Sequence, residues 1–319
     1  MTLKSRAHCS VSRILVTGGA GFIGSHLVET ALDQGYSVRV FDDLSTGSLR
    51  NLEAVKDNPH LEFMRGDVRR VRQIGAAFDD VDVVVHLAAL VSVPLSMKAP
   101  ASTLMTNALG TLNVLDRAAR ARFQRIVYAS TCAVYGEPLE VPVREDAPLS
   151  PLSPYAASKL AGEALCDAYA ATHGLETVCL RFFNVYGNRQ SPGPYSGVVT
   201  SFLDCLRRDL PITIYGDGAQ TRDFINVADV ADAILKASVT WVNSAAKGSA
   251  KINVGTGNAV SINELAALIM RLGGKTMVPK HEPLRIGEIR HSVADTTQAW
   301  RVLGFRAGVP LEVGLRQLL

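Results

Sequence analysis

Residues 17–24 read Thr17-Gly-Gly-Ala-Gly-Phe-Ile-Gly24, a glycine-rich turn that follows the apolar run Arg13–Thr17 and precedes an amphipathic stretch. The order of strand, glycine turn and helix is typical of a site for the phosphates of a dinucleotide. Gly18 allows the tight bend, Gly21 lets the backbone approach a pyrophosphate, and Gly24 lets the helix pack closely on the strand. The N-terminus of the helix adds amide donors and the positive end of its dipole. We therefore predict a dinucleotide site, although such a turn can also be a simple connection.

Apolar and amphipathic segments go on alternating downstream of this turn. Further apolar runs lie at 37–41, 61–64, 81–86, 125–129 and 176–180, and helix-like segments lie at 25–34, 103–121 and Pro154–His173. This alternation predicts an α/β fold with a doubly wound, Rossmann-like parallel sheet and right-handed crossovers.

The composition of the sequence changes after Arg181: prolines and glycines cluster, and the apolar segments become shorter. We predict a dinucleotide-binding domain over residues 11–184, with a returning segment near 224–256. A smaller C-terminal substrate domain would comprise residues 185–223 and 257–319 and pack over the carboxyl edge of the sheet.

The composition is that of an ordinary globular protein, with 47% hydrophobic residues, 20% charged residues and a net charge of +3. No Lys/Arg-rich run points to a nucleic acid or a membrane surface as partner, and no apolar run could span a bilayer. The N-terminal segment lacks the apolar core of a signal peptide. The five cysteines form no CxxC pair and the seven histidines no ligand spacing, so we expect no metal. A soluble, cytoplasmic protein is expected.

Acidic residues follow the glycine turn at the ends of the next two predicted strands. Phe41-Asp-Asp43 ends the second predicted strand about 20 residues after the turn, where a carboxylate accepts hydrogen bonds from the adenosine ribose. Asp42 is the preferred acceptor and favours NAD over NADP, because it would repel a 2′-phosphate. Asp43 could instead be a solvated acid at the strand end. Asp67, after the next strand, is placed to reach the adenine or to close a turn.

Three polar side chains are expected to converge where the fifth predicted strand ends. Tyr155 and Lys159 lie four residues apart near the start of a predicted helix and so share one face of it. They follow Thr131, at the sheet edge where an open α/β sheet keeps its ligand crevice. A phenol titrates near 10 and is a poor base unless a positive charge stabilises the phenolate. We predict Tyr155 as the base, Lys159 as that charge and Thr131 as the group that orients a substrate hydroxyl.

With these motifs assembled, the chain resembles the extended short-chain dehydrogenase/reductase family, specifically its nucleotide-sugar 4-epimerases. The resemblance runs from about Arg13 to Leu319. It includes the motifs His86-Leu-Ala-Ala89, Arg181-Phe-Phe-Asn-Val-Tyr-Gly187, Gly216-Asp-Gly-Ala-Gln-Thr-Arg-Asp-Phe224 and Arg285-Ile-Gly-Glu-Ile-Arg-His-Ser292.

The resemblance implies NAD as cofactor and a UDP-sugar as substrate. The expected cofactor residues are Gly18, Gly21, Phe22, Ile23, Gly24, Asp42, Asp43, Asp67, Val68, Ala88, Ala89, Asn107, Tyr155 and Lys159. The expected substrate residues are Ser92, Ser130, Thr131, Asn184, Arg222, Arg285 and Ser292. Relatives also pair through two helices, which makes a homodimer through segments 103–121 and 154–173 the expected assembly.

The residues after Thr131 separate the reactions of this family. Relatives that dehydrate or decarboxylate the keto-sugar carry one or two acidic residues there, whereas this chain has Cys132 and Ala133. Return of the hydride to the other face of the ketone, which is C4 epimerisation, is then the simplest outcome. A 4,6-dehydratase or a reductase remains the enzymatic alternative, and a non-catalytic dinucleotide-binding regulator is the alternative of another class.

The choice of sugar depends on one position near the C-terminus. Ser292 aligns with the position where epimerases restricted to plain hexoses carry a tyrosine, and a small residue leaves room for an N-acetyl group at C2. We expect both UDP-N-acetylhexosamines and plain UDP-hexoses to be accepted. The alternative is that Ser292 is only a small packing residue, or that the alignment is displaced by one position.

Overall fold

The computed structural model of the protein describes residues 11–121, 125–191, 197–240, 248–284 and 289–319. Within these ranges the strands are β1 (Arg13–Thr17), β2 (Ser37–Asp42), β3 (Leu61–Arg65), β4 (Val83–His86), β5 (Arg125–Thr131), β6 (Glu176–Phe182), β7 (Asn184–Tyr186), β8 (Thr213–Tyr215), β9 (Thr221–Arg222), β10 (Phe224–Asn226), β11 (Ser249–Val254), β12 (Val260–Ser261), β13 (Lys280–Glu282) and β14 (His291–Ser292). The α-helices are α1 (Phe22–Asp33), α2 (Val71–Ile74), α3 (Val93–Lys98), α4 (Pro100–Leu104), α5 (Gly110–Arg120), α6 (Pro154–His173), α7 (Val198–Arg207), α8 (Val227–Val239), α9 (Ile262–Leu272), α10 (Thr297–Leu303) and α11 (Leu311–Arg316). Short 3-10 helices cover Leu49–Val55, Gly75–Phe78 and Cys132–Tyr135, and a π-helix covers Met105–Leu109.

The main sheet has seven parallel strands in the described residues, in the order β11-β6-β5-β4-β1-β2-β3. The strand order reverses at β1, because the chain first adds β2 and β3 on one side of it and then β4 on the other. Ligands of open α/β sheets bind beside such a reversal, at the carboxyl ends of the strands. The predicted Rossmann-like α/β fold is confirmed.

Helices cover both faces of this sheet, which explains why its strands read as continuous apolar runs. On one face α1 and α8 pack together, and their Leu27 and Ile234 are fully buried against Val16. On the other face α5 and α6 contribute Leu115 and Cys166 to a second core. A rigid two-sided core fixes the strand ends that carry the polar side chains.

The predicted helix over 103–121 is interrupted. A π-helix, Met105–Leu109, joins α4 to α5, and the buried Asn107 lies within it. Such single π turns shift the side chains that follow. Strand β5 extends two residues beyond the apolar run 125–129 and ends at Thr131, as expected from its placement at the strand's carboxyl end; the polar Ser130 and Thr131 both find hydrogen-bond partners there.

The second unit begins where the chain leaves β6. Strand β7 pairs with β10, and helices α7, α9 and α11 enclose a separate core that includes Phe202, Leu265 and Leu315. The chain then returns through α8 and β11 to the edge of the main sheet.

The boundary between the two predicted domains stays a prediction. Part of the segment assigned to the C-terminal domain packs with the helices of the main sheet instead. Ala299, Leu303 and Phe305 lie within the 257–319 segment but pack in the core that α1 and α8 share.

In the ranges that the structure describes, no helix combines the length and apolar character needed to cross a membrane.

Candidate active site

A cleft of about 510 Å³ follows the carboxyl ends of the main strands. Of the predicted residues it is lined by Gly18, Gly21, Phe22, Ile23, Gly24, Asp42, Asp43, Asp67, Val68, Ala88, Ala89, Ser130, Thr131, Tyr155 and Lys159. Its volume lies in the range of small-molecule and cofactor sites. The predicted catalytic residues and all of the predicted cofactor residues except Asn107 thus line one cavity.

The glycine turn leaves no room for a side chain at Gly18 or Gly24. Gly18 has a φ of +73°, and a Cβ added there would lie 2.7 Å from the backbone nitrogen of Ala88. A Cβ at Gly24 would lie 2.2 Å from the carbonyl oxygen of Gly18. At Gly21 a Cβ would meet only that same oxygen, at 3.1 Å, so the position is open toward the cleft. The turn fits the diphosphate of NAD, whose phosphates would meet bare backbone beside the start of α1.

Asp42 is placed to receive the ribose of the dinucleotide. It is 7% exposed, and its carboxylate oxygens accept hydrogen bonds from the backbone nitrogens of Ala20 (3.0 Å) and Leu44 (2.8 Å). Burial raises the pKa of this carboxyl above its usual value. The two amides hold the carboxylate in place, and its remaining lone pairs can accept from hydroxyl groups.

The acids near the predicted adenine site are bridged by Arg69, which the sequence interpretation did not include. Its guanidinium lies 2.8 Å from Asp67 and 3.9 Å from Asp43, and it lines the cleft. Burial alone would raise the pKa of Asp67, but the hydrogen bonds from Arg69 outweigh it and leave that pKa below its usual value. The position of Arg69, two residues after Asp67, was the available sequence signal.

The three predicted catalytic residues do converge. Thr131 ends β5, and its hydroxyl is near enough to the phenol of Tyr155, the second residue of α6, to lower the pKa of that phenol against the effect of burial. One turn further along α6, Lys159 is 3% exposed, and its Nζ donates to the carbonyl oxygen of Ala129 at 2.9 Å. Its Nζ also lies 5.1 Å from the centre of the Tyr128 ring. Phenol, hydroxyl and amine therefore meet at one end of the cleft.

The electrostatics of this group differ in one respect from the sequence-based prediction. Burial raises the pKa of Tyr155 to about 12, with the hydrogen bond from Thr131 opposing the rise. Burial also lowers the pKa of Lys159 to about 8. The expected lowering of the phenol's pKa by Lys159 is not present in the protein alone. Desolvation destabilises the phenolate more than the neighbouring groups stabilise it.

Behind the catalytic group lies a buried ion pair that the sequence did not reveal. Glu163, one turn after Lys159 on α6, accepts two hydrogen bonds from Arg181 on β6, at 2.9 and 2.7 Å. The hydroxyl of Ser130 donates to the same carboxylate at 2.5 Å. The predicted substrate residue Ser130 thus joins α6, β5 and β6 while also lining the cleft.

Two predicted ligand residues support the cleft without lining it. Asn107 donates from Nδ2 to the carbonyl oxygen of Leu90 and to the hydroxyl of Ser158, both at 2.9 Å, and accepts from the nitrogen of Leu90. The π-helix turns it toward the segment after β4, so it fixes the wall of the cleft. The hydroxyl of Ser92 accepts from the nitrogen of Leu95 and caps α3.

The substrate residues of the second unit lie on adjoining strands. Ser292 on β14 pairs with Arg222 on β9, and the nitrogen of Asp223 donates to the carbonyl oxygen of Ser292 at 2.9 Å. The carbonyl oxygen of Asp223 accepts from the nitrogen of Asn184, also at 2.9 Å. The side-chain oxygen of Asn184 is buried and has no hydrogen-bond partner among the described residues. Arg285, the remaining predicted substrate residue, lies outside the described residues.

Ser292 lies beside the strand end that carries the catalytic Thr131. It is 6% exposed, and its hydroxyl is near enough to the thiol of Cys132, the residue after Thr131, to lower the pKa of that thiol against the effect of burial. Asp223, which was not predicted, fixes this arrangement: its buried carboxylate accepts from Thr256, from the nitrogen of Gly257 at 2.9 Å and from that of Ala294 at 3.1 Å. Its position after Arg222 in the quoted Gly216–Phe224 motif was the available signal.

Comparison with known proteins agrees with this geometry. Residues 14–255 match the NAD dependent epimerase/dehydratase family. The chain belongs to this family. The resemblance drawn from the sequence is confirmed, and with it an enzymatic role and NAD as the cofactor.

Relatives align with the chain over almost its entire length. The UDP-glucose 4-epimerase of Mycolicibacterium smegmatis is 38% identical over 305 residues, which cover 95% of this chain and 96% of that protein. The UDP-glucose 4-epimerase of Thermotoga maritima, solved with UDP-glucose, is 36% identical with a TM-score of 0.88, covering 95% and 96% of the two chains. The UDP-N-acetylglucosamine 4-epimerase of Methanobrevibacter ruminantium, in complex with UDP-N-acetylmuramic acid, is 32% identical with a TM-score of 0.89, covering 97% of each chain.

Proposed function

We propose that this protein is a UDP-sugar 4-epimerase that inverts the C4 hydroxyl of its substrate through a transient 4-keto-sugar. The observation that carries the proposal is the convergence of Thr131, Tyr155 and Lys159 in the cleft that begins at the glycine turn. The 4-epimerases that align with nearly the whole chain support the same reaction.

Each catalytic side chain has a distinct task in this reaction. Tyr155 takes the proton of the C4 hydroxyl while the neighbouring Thr131 hydroxyl holds that C4 hydroxyl in line. Lys159 fixes the end of β5 through the carbonyl oxygen of Ala129 and supplies positive charge beneath the site. Bound NAD supplies the hydride acceptor and a positive ring that stabilises the phenolate. The same phenol then returns the proton after the ketone has been reduced on its other face.

The residues that follow Thr131 favour epimerisation over elimination. Cys132 and Ala133 carry no carboxylate, and burial raises the pKa of the Cys132 thiol above its usual value. A thiol that stays protonated is a poor base. Dehydration and decarboxylation both need a further acid or base beside the keto-sugar, which these two positions do not provide.

The small, buried Ser292 supports a broad choice of sugar. Its hydroxyl affects the pKa of Cys132, one residue from the catalytic Thr131, so we assign it to the sugar end of the site. A serine leaves space for an acetamido group at C2 that a tyrosine would fill. We propose that UDP-N-acetylglucosamine and UDP-N-acetylgalactosamine are substrates together with UDP-glucose and UDP-galactose.

The proposed assembly is a homodimer in the cytoplasm, formed through the helices of segments 103–121 and 154–173. Exposed Leu104 and Met105 on the first segment support such a contact.

A panel of UDP-sugars tests the reaction directly. Each sugar is incubated with the purified protein without added cofactor, and the products are identified by NMR. A mixture of C4 epimers, with no steady growth of nicotinamide absorbance, is expected. A 4-keto-6-deoxy sugar, or turnover that consumes added NADPH in proportion to product, would support the dehydratase or the reductase instead.

A further inference from the structure

One wall of the cofactor cleft comes from the second unit. Arg189, Gln190 and Ser191, which follow β7, line the cleft together with the glycine turn of the first unit. Gln190 is anchored on its own side, because the hydroxyl of Thr200 on α7 donates to its side-chain oxygen at 2.7 Å. The segment is therefore fixed to the second unit and reaches across to the first.

The side chain of Arg189 connects this segment to helix α1. It donates to the carboxylate of Glu29 at 2.6 Å and to the hydroxyl of Ser25 at 3.2 Å. The imidazole of His26 lies 3.1 Å from the carbonyl oxygen of Asn188 and donates to it. Three of the first eight residues of α1 thus hold the segment that faces the glycine turn.

The backbone conformation and the charge of Arg189 are both unfavourable by themselves. Its φ is +66°, a conformation that is unfavourable for a residue with a Cβ and persists only where the surroundings impose it. Its guanidinium also lies beside the N-terminal half of α1, where the positive end of the helix dipole makes a cation unfavourable. The first turn of α1 has no acidic residue to offset this charge. Glu29 neutralises this charge. Arg189 and Glu29 are both about three-quarters buried, at 25% and 23% exposed.

We propose that Arg189, held by Glu29, is a cofactor-retaining residue: the ion pair closes the cleft over the diphosphate of NAD and slows its release. Cofactor that is regenerated in every cycle gains nothing by leaving the enzyme, so slow release suits the reaction. The inference rests on the proposed function only in that NAD occupies this cleft.

The test measures NAD release and needs no turnover. Protein loaded with radiolabelled NAD is chased with excess unlabelled NAD, and the label that stays bound is followed with time. Glu29→Gln and Arg189→Gly should each speed release by roughly three- to tenfold. Glycine adopts the positive φ without strain, so Arg189→Gly removes the side chain without forcing a different backbone conformation. The double variant should release NAD no faster than the faster single variant, because both substitutions break one interaction.

Controls separate this role from general loosening. Glu312→Gln removes the partner of Arg271 and Arg316 on the second unit, three described residues that do not line the cleft, and should leave the release rate unchanged. Melting temperatures of all variants at saturating NAD identify any that are unfolded, and Arg189→Lys, which keeps the charge, should fall between wild type and Arg189→Gly.

Two outcomes would overturn the inference. Unchanged or slower release from Glu29→Gln would mean that Arg189 binds the diphosphate directly and that Glu29 only restrains it. Equally fast release from Glu312→Gln would mean that the cleft responds to any loss of stability. Wild-type protein that binds no NAD at all would instead contradict the proposed function.

Discussion

Glu163 and Arg181 form an ion pair that is almost fully enclosed, with side chains 2% and 3% exposed. The pair joins α6, which carries Tyr155 and Lys159, to β6. Since Ser130 donates to the same carboxylate, the strand end that carries Thr131 is fixed as well. The positions of the catalytic residues therefore depend on a buried ion pair that does not itself line the cleft.

Breaking this pair should destabilise the protein strongly. Glu163→Gln leaves the Arg181 guanidinium buried without its counter-charge, and we expect the free energy of unfolding to fall by about 3–5 kcal/mol. Ser130→Ala removes one hydrogen bond and should cost about 1–3 kcal/mol. Urea denaturation measures both. The exposed Glu312→Gln serves as the control and should change little; a similar loss in Glu163→Gln and the control would show that the buried pair adds nothing special.

Tyr155→Phe should abolish most of the epimerase activity. The substitution keeps the ring and removes the only proposed proton acceptor, so turnover should fall by about 10²-fold or more. Turnover with UDP-glucose is followed by NMR, and bound NAD is assayed after denaturation to show that the cofactor site is intact. Near-normal turnover in this variant would require a different base.

Ser292→Tyr should change the choice of sugar more than the overall rate. Overpacking the bound pose costs on the order of 1–3 kcal/mol, so activity on N-acetylated sugars should fall by roughly 10- to 100-fold relative to plain hexoses. The ratio of the two activities is the quantity to measure, because it cancels any general loss of folded enzyme. Ser292→Ala is the matched control and should keep the wild-type ratio. Equal losses on both sugars would assign Ser292 to the fold and not to the C2 pocket.

Acid should destabilise the protein in part through His86. Its ring lies between the hydroxyls of Thr17 (2.7 Å) and Thr111 (3.0 Å), and burial, helped by the charge of Lys159, lowers its pKa to about 3. Below about pH 6.5 the imidazole of His86 becomes protonated in the unfolded chain but stays neutral in the native chain. The native state thus loses up to about 1.4 kcal/mol per pH unit between those two pKa values.

His86→Asn provides the comparison for this pH effect. The variant starts from a lower stability, but its denaturation midpoint should fall less steeply than that of wild type between about pH 6 and about pH 4.5. All other titrating groups are shared, so the difference in slope isolates residue 86. Identical slopes would contradict a neutral, buried His86.

Local spacing made much of the site predictable. The glycine turn and the four-residue interval between Tyr155 and Lys159 are set by backbone geometry over a few residues, and the structure places them in one cleft. Asn107 shows the limit of such reasoning. Its helix was foreseen but its π turn was not, because the turn follows from packing against Leu90 and Ser158.

Contacts between distant parts of the chain could not be foreseen. Glu163 meets Arg181 across 18 positions, Arg189 meets Glu29 across 160, and Asp223 meets Ala294 across 71. Each of these charged residues would pass for a surface residue in the sequence alone. Only the path of the folded chain reveals that they hold the site together.

The late return of β11 to the main sheet has a consequence for synthesis on the ribosome. Strand β6 is the outer strand until residues 249–254 have been made, so its fully buried Val178 and Leu180 have no neighbouring strand on that side while the second unit emerges. An open edge of this kind is a template for pairing with other chains. The nascent protein is therefore most exposed to aggregation during translation of residues 183–248, and a stall or truncation within that stretch should leave a product that depends on chaperones.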